Sequence, residues 1–213
     1  MRPRRADTVL AERGLVRSRA SAAQAIRAGR VPLGRDGRAL VKPSELIDPE
    51  AELVVSEPER YVSRGGYKLE RALDALGIDP AGRDCLDVGA STGGFTDCLL
   101  QRGASRVVAL DVARGQLDWR LRNDQRVHVI ERCNARQLSA EQLPFRPQLA
   151  TIDVSFISLT KVLPAVAGTL SEDGELLAMV KPQFELGRGR VGKGGVVRDS
   201  ADRREAVLQI ARF

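Results

Sequence analysis

The sequence has few of the residues that build metal clusters and disulfide frameworks. Its 213 residues include three cysteines and one histidine. Cys85, Cys98 and Cys133 are scattered and fit no metal-ligand spacing. His128, the one histidine, cannot alone supply the usual zinc-binding or nucleophilic arrangements. We therefore expect no metal, and the odd number of cysteines favours a reducing, cytoplasmic compartment.

Long apolar runs are also missing. Hydrophobic residues make up 43% of the chain, yet none of their runs approaches the roughly 20 residues that cross a bilayer. No signal-type apolar stretch follows Met1. Aromatic residues are 4% of the total, and the first of them is Tyr61. We expect a soluble protein without a membrane partner, whose first 60 residues do not bind bases by stacking.

Charge is unevenly distributed along the chain. The net charge is +6, but residues 1–42 carry eleven Lys and Arg against three acids, and residues 43–60 carry one Arg against six acids. A basic head followed by an acidic strip is typical of a polyanion-binding module. A merely solvated surface is the alternative interpretation.

Two domains are predicted, residues 1–60 and 61–213, joined near Pro58. Helical patterns cover 6–14 and 18–29, and short strands follow, the last at 53–55. Beyond a helix at 69–76, strands are predicted at 85–88, 106–110, 127–130, 149–152 and 176–180, alternating with helices. Alternation of this kind predicts an α/β fold with a parallel, doubly wound sheet.

The segment Arg83–Phe95, RDCLDVGASTGGF, has the pattern of a strand, a tight turn and a helix start, which is typical of a nucleotide-type pocket. Ser91 stands where a dinucleotide fingerprint needs its second glycine, so the pattern fits S-adenosylmethionine (SAM) better than NAD. Asp111 follows Gly89 by 22 residues, a spacing suited to ribose hydroxyls in either pocket. The cofactor-binding candidates are Asp87, Gly89, Ala90, Ser91, Gly93, Gly94, Phe95, Asp111, Asn134, Ala135 and Asp153.

Three residues form the candidate catalytic set. Asp153 and Lys181 follow predicted strands, whose carboxyl ends share one crevice, and Lys68 precedes the glycine loop. Two lysines beside an aspartate suit deprotonation of a poor acid such as a ribose 2'-hydroxyl. A second ammonium nearby and burial would lower the lysine pKa from about 10.4. Lys181 is then the general base, held by Asp153 and assisted by Lys68.

Residues 1–60 resemble the S4 RNA-binding domain through Arg5-Ala6-Asp7, Gly14-Leu15, Ser18-Arg19-Ala20 and Lys42-Pro43-Ser44. The resemblance implies binding to folded RNA, and arginine suits this because its planar fork pairs with phosphate. A glycine-rich basic segment, 186–198, partly matches a nucleotide-binding P-loop, but Gly194 replaces the required Ser/Thr, so nucleotide binding is not expected. The segment is interpreted as a flap over RNA or as a disordered connector. The RNA-binding candidates are Arg4, Arg5, Arg17, Arg19, Arg27, Arg30, Arg64, Arg188, Arg190 and Lys193.

The whole chain is similar to the TlyA family of S4-domain ribosomal RNA 2'-O-methyltransferases, whose catalytic half is FtsJ-like. The similarity rests on Ser63-Arg64-Gly65-Gly66, on Asp87-Val88-Gly89 through Phe95-Thr96, on Ser155–Leu159 and on Val180–Glu185. It implies SAM as cofactor, ribosomal RNA or ribosomal subunits as partner, and cytidine riboses as targets; a monomer is expected. The family's Lys-Asp-Lys-Glu tetrad maps onto Lys68, Asp153 and Lys181, and its glutamate would lie beyond Phe213.

That missing glutamate, and two strands that such domains usually add, indicate a C-terminally truncated chain, either a fragment or a shortened protein. A non-catalytic RNA-binding or ribosome-binding protein with a vestigial SAM pocket is therefore the alternative function. Relatives are also named haemolysins. Direct membrane lysis is not expected, because no spanning segment or basic amphipathic helix with aromatic anchors is present.

Overall fold

The structure is a computed structural model that describes residues 2–16, 18–34, 37–56, 60–192 and 194–213, with Arg188 described by its backbone only. The chain divides into two compact units, Met1–Arg60 and Tyr61–Phe213.

The smaller unit packs two helices against short antiparallel strand pairs. Its elements in chain order are β1 (Arg4–Arg5), α1 (Ala6–Glu12), α2 (Arg19–Arg27), β2 (Pro32–Leu33), β3 (Arg38–Ala39) and β4 (Leu46–Ile47). Strand β1 pairs with β4 and β2 with β3. Ser18 caps α2 as its sequence position predicts, because its Oγ accepts a hydrogen bond from Ser21 N at 3.2 Å.

Both predicted helices of this unit are confirmed, but its strands differ from the prediction. The predicted strand at 53–55 is wrong, since Leu53 forms only an isolated bridge with Leu33. The pair β1 and β4 was not predicted, because strands of two residues are too short to show an alternating pattern.

The larger unit is built on five parallel strands. They are β5 (Asp84–Val88), β6 (Arg106–Asp111), β7 (Val127–Glu131), β8 (Leu149–Ile152) and β9 (Glu175–Ala178). Their order across the sheet is β7-β6-β5-β8-β9, and all four pairings are parallel. The prediction of a parallel sheet is confirmed. Because the order reverses at β5, a crevice forms at the carboxyl ends of β5 and its neighbours, where ligands bind in such sheets.

Helices cover both faces of this sheet, as successive residues of β5 show. Cys85 points into a core that contains Leu69 of α3 (Gly65–Leu76) and Leu99 of α4 (Gly94–Gln101). Leu86 points into the opposite core, with Val166. The remaining helices are α5 (Trp119–Arg122), α6 (Leu163–Ala167), α7 (Pro182–Glu185) and α8 (Ser200–Arg212).

Several boundaries differ from the predicted ones. The helix expected at 115–122 is confined to α5, because Asp118 caps it by accepting a hydrogen bond from Arg120 N. The helix expected at 158–168 is divided into a 3-10 turn, Leu159–Lys161, and α6, since Pro164 lacks the N–H that a continuous helix needs. In the described residues, every helix is too short or too polar to span a membrane.

Candidate active site

The glycine loop after β5 uses its glycines to approach other parts of the protein. Gly89 has φ +87°, and a Cβ placed on it would lie 2.6 Å from the Asp153 carbonyl oxygen. Gly93 has φ +97°, and its Cβ would lie 2.3 Å from Leu121 Cδ1. Both positions therefore need glycine, for its left-handed backbone and for its lack of a side chain. Gly89 in particular brings the ends of β5 and β8 together.

Asp87 lies beneath this loop and is fully buried. Thr96 Oγ1 donates a hydrogen bond to its Oδ2 at 2.7 Å, and Thr151 Oγ1 lies 3.4 Å from its Oδ1. Burial raises the pKa of Asp87 from 3.8 to about 7, against the opposing effect of these hydrogen bonds. The sequence placed Asp87 beside the cofactor, whereas the structure places it among threonines, outside the lining of both cavities described below.

Asp111 ends β6 and is held by two backbone N–H groups. Ser91 N donates to Oδ2 and Ala113 N to Oδ1, both at 2.8 Å. The Ser91 backbone has φ 49°, an uncommon conformation for a residue with a side chain. Since an ionised carboxylate has about four acceptor positions, Asp111 keeps capacity for further hydroxyl donors.

Lys181 and Asp153 form an ion pair at the carboxyl ends of two adjacent strands. Lys181 Nζ lies 2.5 Å from Asp153 Oδ1 and donates a hydrogen bond to Ser155 Oγ at 2.9 Å. Each side chain is 20% exposed, so the pair is partly shielded but open to a ligand. The pair forms because β8 and β9 are neighbours in the sheet. The two residues are 28 positions apart in the sequence. The structure brings them together, in agreement with the prediction that the carboxyl ends of their strands face one crevice.

A second contact joins the loops that carry this pair. Glu185 of α7 accepts hydrogen bonds from Ser158 Oγ at 2.6 Å and from Leu159 N at 2.9 Å. Phe184 packs against Phe156, with ring centroids 5.2 Å apart. Glu185 has no predicted role, although its position close to Lys181-Pro182 is a signal that the sequence already contains.

Phe156 is the other residue that sequence reasoning missed. It is 92% exposed and has φ 64°, which is rare for a bulky side chain. Such a conformation is energetically unfavourable by about 1–3 kcal/mol and is found preferentially at functional sites. Phe156 follows Asp153 by three residues, so an exposed aromatic ring lies at the mouth of the site.

Two cavities meet at Gly89, Ser91 and Asp153, which line both. The first, of about 530 Å³, is lined on one side by Asp111 and on the other by residues that follow β7 and β8, among them Asn134, Ala135 and Phe156. The second, of about 730 Å³, is lined by the other half of the glycine loop, including Phe95, and by α3. Lys68 of α3 lies in this second lining, so it faces the same space as Asp153.

The predicted RNA-binding residues differ in whether their side chains have partners within the chain. Asp7, itself buried, accepts two hydrogen bonds from Arg5 at 3.0 and 2.7 Å and lies 3.5 Å from Arg19. The Arg5 guanidinium, together with Arg19, lowers the pKa of Asp7 to about 2. Arg4 pairs with Glu12, and Arg30 bonds to the Ser56 carbonyl.

Arg64 lines the second cavity. Arg190 pairs with Asp202 and Glu205 of α8, so its charge is compensated within the chain. The Arg27 side chain makes no polar contact in the described residues. Arg17, Lys193 and the Arg188 side chain lie outside them.

Cysteines and metal ligands add little to the site. Burial raises the pKa of the Cys85 thiol to about 12, so it is not a nucleophile. Within the described ranges no three His, Cys, Asp or Glu side chains are grouped as metal ligands.

Residues 61–213 match the family described as FtsJ-like methyltransferase. This chain belongs to that family. The protein is thus an FtsJ-like methyltransferase, as the sequence resemblance predicted, and its five-stranded sheet is the α/β methyltransferase fold.

Relatives with assigned names match almost the whole chain. The 16S/23S rRNA (cytidine-2'-O)-methyltransferase TlyA of Mycobacterium tuberculosis is 54% identical over 210 residues, which are 98% of this chain and 78% of that protein. Hemolysin A of Brachyspira hyodysenteriae is 42% identical over 208 residues, 97% of this chain and 85% of that protein.

Among solved structures, a Streptococcus thermophilus protein that carries the name hemolysin is 42% identical to this FtsJ-like chain. It superposes with a TM-score of 0.72 over 100% of this chain and 78% of its own.

Proposed function

We propose that this protein transfers a methyl group from SAM to the 2'-hydroxyl of a cytidine ribose in ribosomal RNA. The observation that carries the proposal is the Lys181–Asp153 ion pair, in which Asp153 lines both cavities. The names of the relatives, TlyA among them, support the substrate.

The smaller, 530 Å³ cavity fits the cofactor. Asp111 keeps acceptor capacity for ribose hydroxyls, and Asn134 and Ala135 line the same space on another strand end. The backbone of Gly89, Ala90 and Ser91 offers a surface without bulky side chains. SAM, when bound, supplies a methyl carbon attached to a positively charged sulfur. Asp87 supports the loop from below and positions it through Thr96.

Lys181 is the proton acceptor in this proposal. Its Nζ would act as the neutral amine and take the proton of the 2'-hydroxyl, so that the hydroxyl oxygen becomes a nucleophile toward the methyl group that bound SAM would supply. Asp153 and Ser155 fix Nζ from two sides, so the amine has a defined position before substrate arrives. Lys68, which lines the larger cavity together with Asp153, orients the target ribose and its phosphate.

The substrate side of the site also suits RNA. Phe156 presents an exposed ring on which an unstacked base can pack, a common feature of RNA recognition. We assign residues 1–60 as an S4-like RNA-binding domain and 61–213 as the methyltransferase domain. In this assignment Asp7 holds Arg5 and Arg19 toward the RNA backbone. Action on ribosomal RNA implies a cytoplasmic protein, and we assign it as a monomer.

The test is methyl transfer from labelled SAM to unmethylated ribosomal subunits, followed by mass spectrometry of the digested nucleosides. The proposal expects label in 2'-O-methylcytidine. Label in a base-methylated nucleoside would contradict the ribose target. SAM binding without incorporation would instead support a non-catalytic ribosome-binding role.

A further inference from the structure

One face of α3 carries three cations that the described residues of the unit leave uncompensated. Arg64, Lys68 and Arg71 are spaced four and three residues apart, so they lie on one side of the helix. The opposite side is buried through Leu69 and Leu73. All three cations are exposed and line the 730 Å³ cavity. At 1.5 Å per residue, the stripe extends along about 10 Å of helix.

The acids of α3 do not neutralise this stripe. Arg102, directly after α4, lies 2.7 Å from Asp74 and 3.6 Å from Glu70, so both carboxylates are directed to it. Among the described residues, the side chains of Arg64, Lys68 and Arg71 make no ion pair or hydrogen bond. Seven other arginines of the same unit are paired with carboxylates, whereas Arg114, Arg132 and Arg136, like the stripe, have no ion pair in the described part of the chain. The paired ones are Arg83, Arg102, Arg106, Arg120, Arg122, Arg126 and Arg190.

The two cavities differ in charge in a way that separates their ligands. The 530 Å³ cavity contains two carboxylates, Asp111 and Asp153, and no Lys or Arg among its lining residues. The 730 Å³ cavity contains three cations and shares Asp153 with the first. A cationic cofactor suits the first, whereas the second suits a polyanion.

We propose that Arg64 and Arg71 hold the phosphates of the RNA strand on either side of the target ribose, with Lys68 between them. Arg71 is thus a phosphate-binding residue of this enzyme. The proposal rests on the proposed function, and it specifies the path of the substrate strand along α3 into the site. Arginine suits this role because its planar fork gives two parallel hydrogen bonds to a phosphate.

The experiment compares Arg71→Gln, Arg71→Lys and wild type in binding to unmethylated ribosomal subunits at several salt concentrations. Loss of one phosphate contact should weaken binding about three- to tenfold and reduce the slope of log affinity against log salt by about one. Arg71→Lys keeps the charge without the fork, so it should restore the slope but only part of the affinity. SAM affinity should stay at the wild-type value, and saturating subunits should restore the turnover rate.

Arg126→Gln is the matched control, because Arg126 pairs with Asp124 directly before β7, at the amino ends of the strands, whereas the site lies at their carboxyl ends. Its affinity and slope should equal those of wild type. An unchanged slope in Arg71→Gln, with wild type active, would overturn this surface and leave the proposed function intact. A wild-type protein that neither binds nor methylates the subunits would overturn the proposed function, and this surface with it.

Discussion

The stability of the larger unit should fall as pH rises through neutrality, because of Asp87. Its pKa is about 7 in the folded protein and 3.8 in the ordinary carboxyl group. Between these values the folded chain binds one proton more than the unfolded chain, so the free energy of unfolding decreases with pH. Each unit of difference between the folded and unfolded pKa of Asp87 is equivalent to about 1.4 kcal/mol. The free energy of unfolding should therefore fall by about 4 kcal/mol in total, of which about 2–3 kcal/mol is lost between pH 5 and pH 8.

Replacement of Asp87 by Asn isolates this effect. Asn cannot ionise, and its amide oxygen can still accept a hydrogen bond from Thr96 or Thr151, which are its neighbours. Urea unfolding followed by far-ultraviolet circular dichroism, at pH 5, 6, 7 and 8, should show a steeper loss of stability in wild type than in Asp87→Asn.

Asp118→Asn provides the control for this experiment. A hydrogen bond from Arg120 lowers the pKa of Asp118, so it stays ionised throughout this range. The Asp118→Asn curve should therefore run parallel to that of wild type. If wild type and Asp87→Asn lost stability equally between pH 5 and pH 8, the assignment of Asp87 as a buried, protonated acid would be refuted.

Two other substitutions test how the site is held together. Gly89→Ala should lower the free energy of unfolding by at least 3 kcal/mol in urea unfolding, because the new Cβ meets the Asp153 carbonyl oxygen. The control is Gly77→Ala, at φ +67° with open space around the new Cβ, which should lower the free energy of unfolding by about 1 kcal/mol. Equal losses in the two variants would contradict the close approach of Gly89 to Asp153. Glu185→Ala should lower the methyl-transfer rate at least tenfold, because it removes two hydrogen bonds to a charged group, each contributing about 1.5–3 kcal/mol. The control Glu205→Ala should leave the methyl-transfer rate unchanged. A Glu185→Ala rate within twofold of wild type would show that the two loops hold their positions without this contact.

Much of the catalytic half could be predicted from the sequence because its central strands, β5, β6 and β8, are buried on both faces. The strand Leu149–Ile152 is confirmed with its predicted bounds, and β6 includes the Asp111 that the prediction placed at its end. Parallel pairing then brings Asp153 and Lys181 to one edge, so their proximity follows from topology. The same reasoning could not give their 2.5 Å contact, which depends on the order of β8 and β9.

Other features depend on packing between distant segments, which periodicity does not show. The glycine loop was interpreted as a surface for a ligand, but Gly93 is required by Leu121 of α5. Asp87 looked like a ligand contact, and the structure buries it under Thr96. The importance of Arg71 depends on Arg102, whose pairing with the acids of α3 is visible only in the folded chain.

The central claim, that Lys181 removes the proton of the target hydroxyl, is tested most directly by Lys181→Met beside Lys161→Met. Lys161 is an exposed lysine in the 3-10 turn after β8 and serves as the matched control. The measurement is single-turnover methyl transfer to unmethylated subunits, with SAM and RNA affinities determined in parallel. We expect Lys181→Met to lose at least about a hundredfold in rate, as for a general base, with both affinities retained and Lys161→Met unaffected. A Lys181→Met rate within a few fold of wild type would contradict the claim.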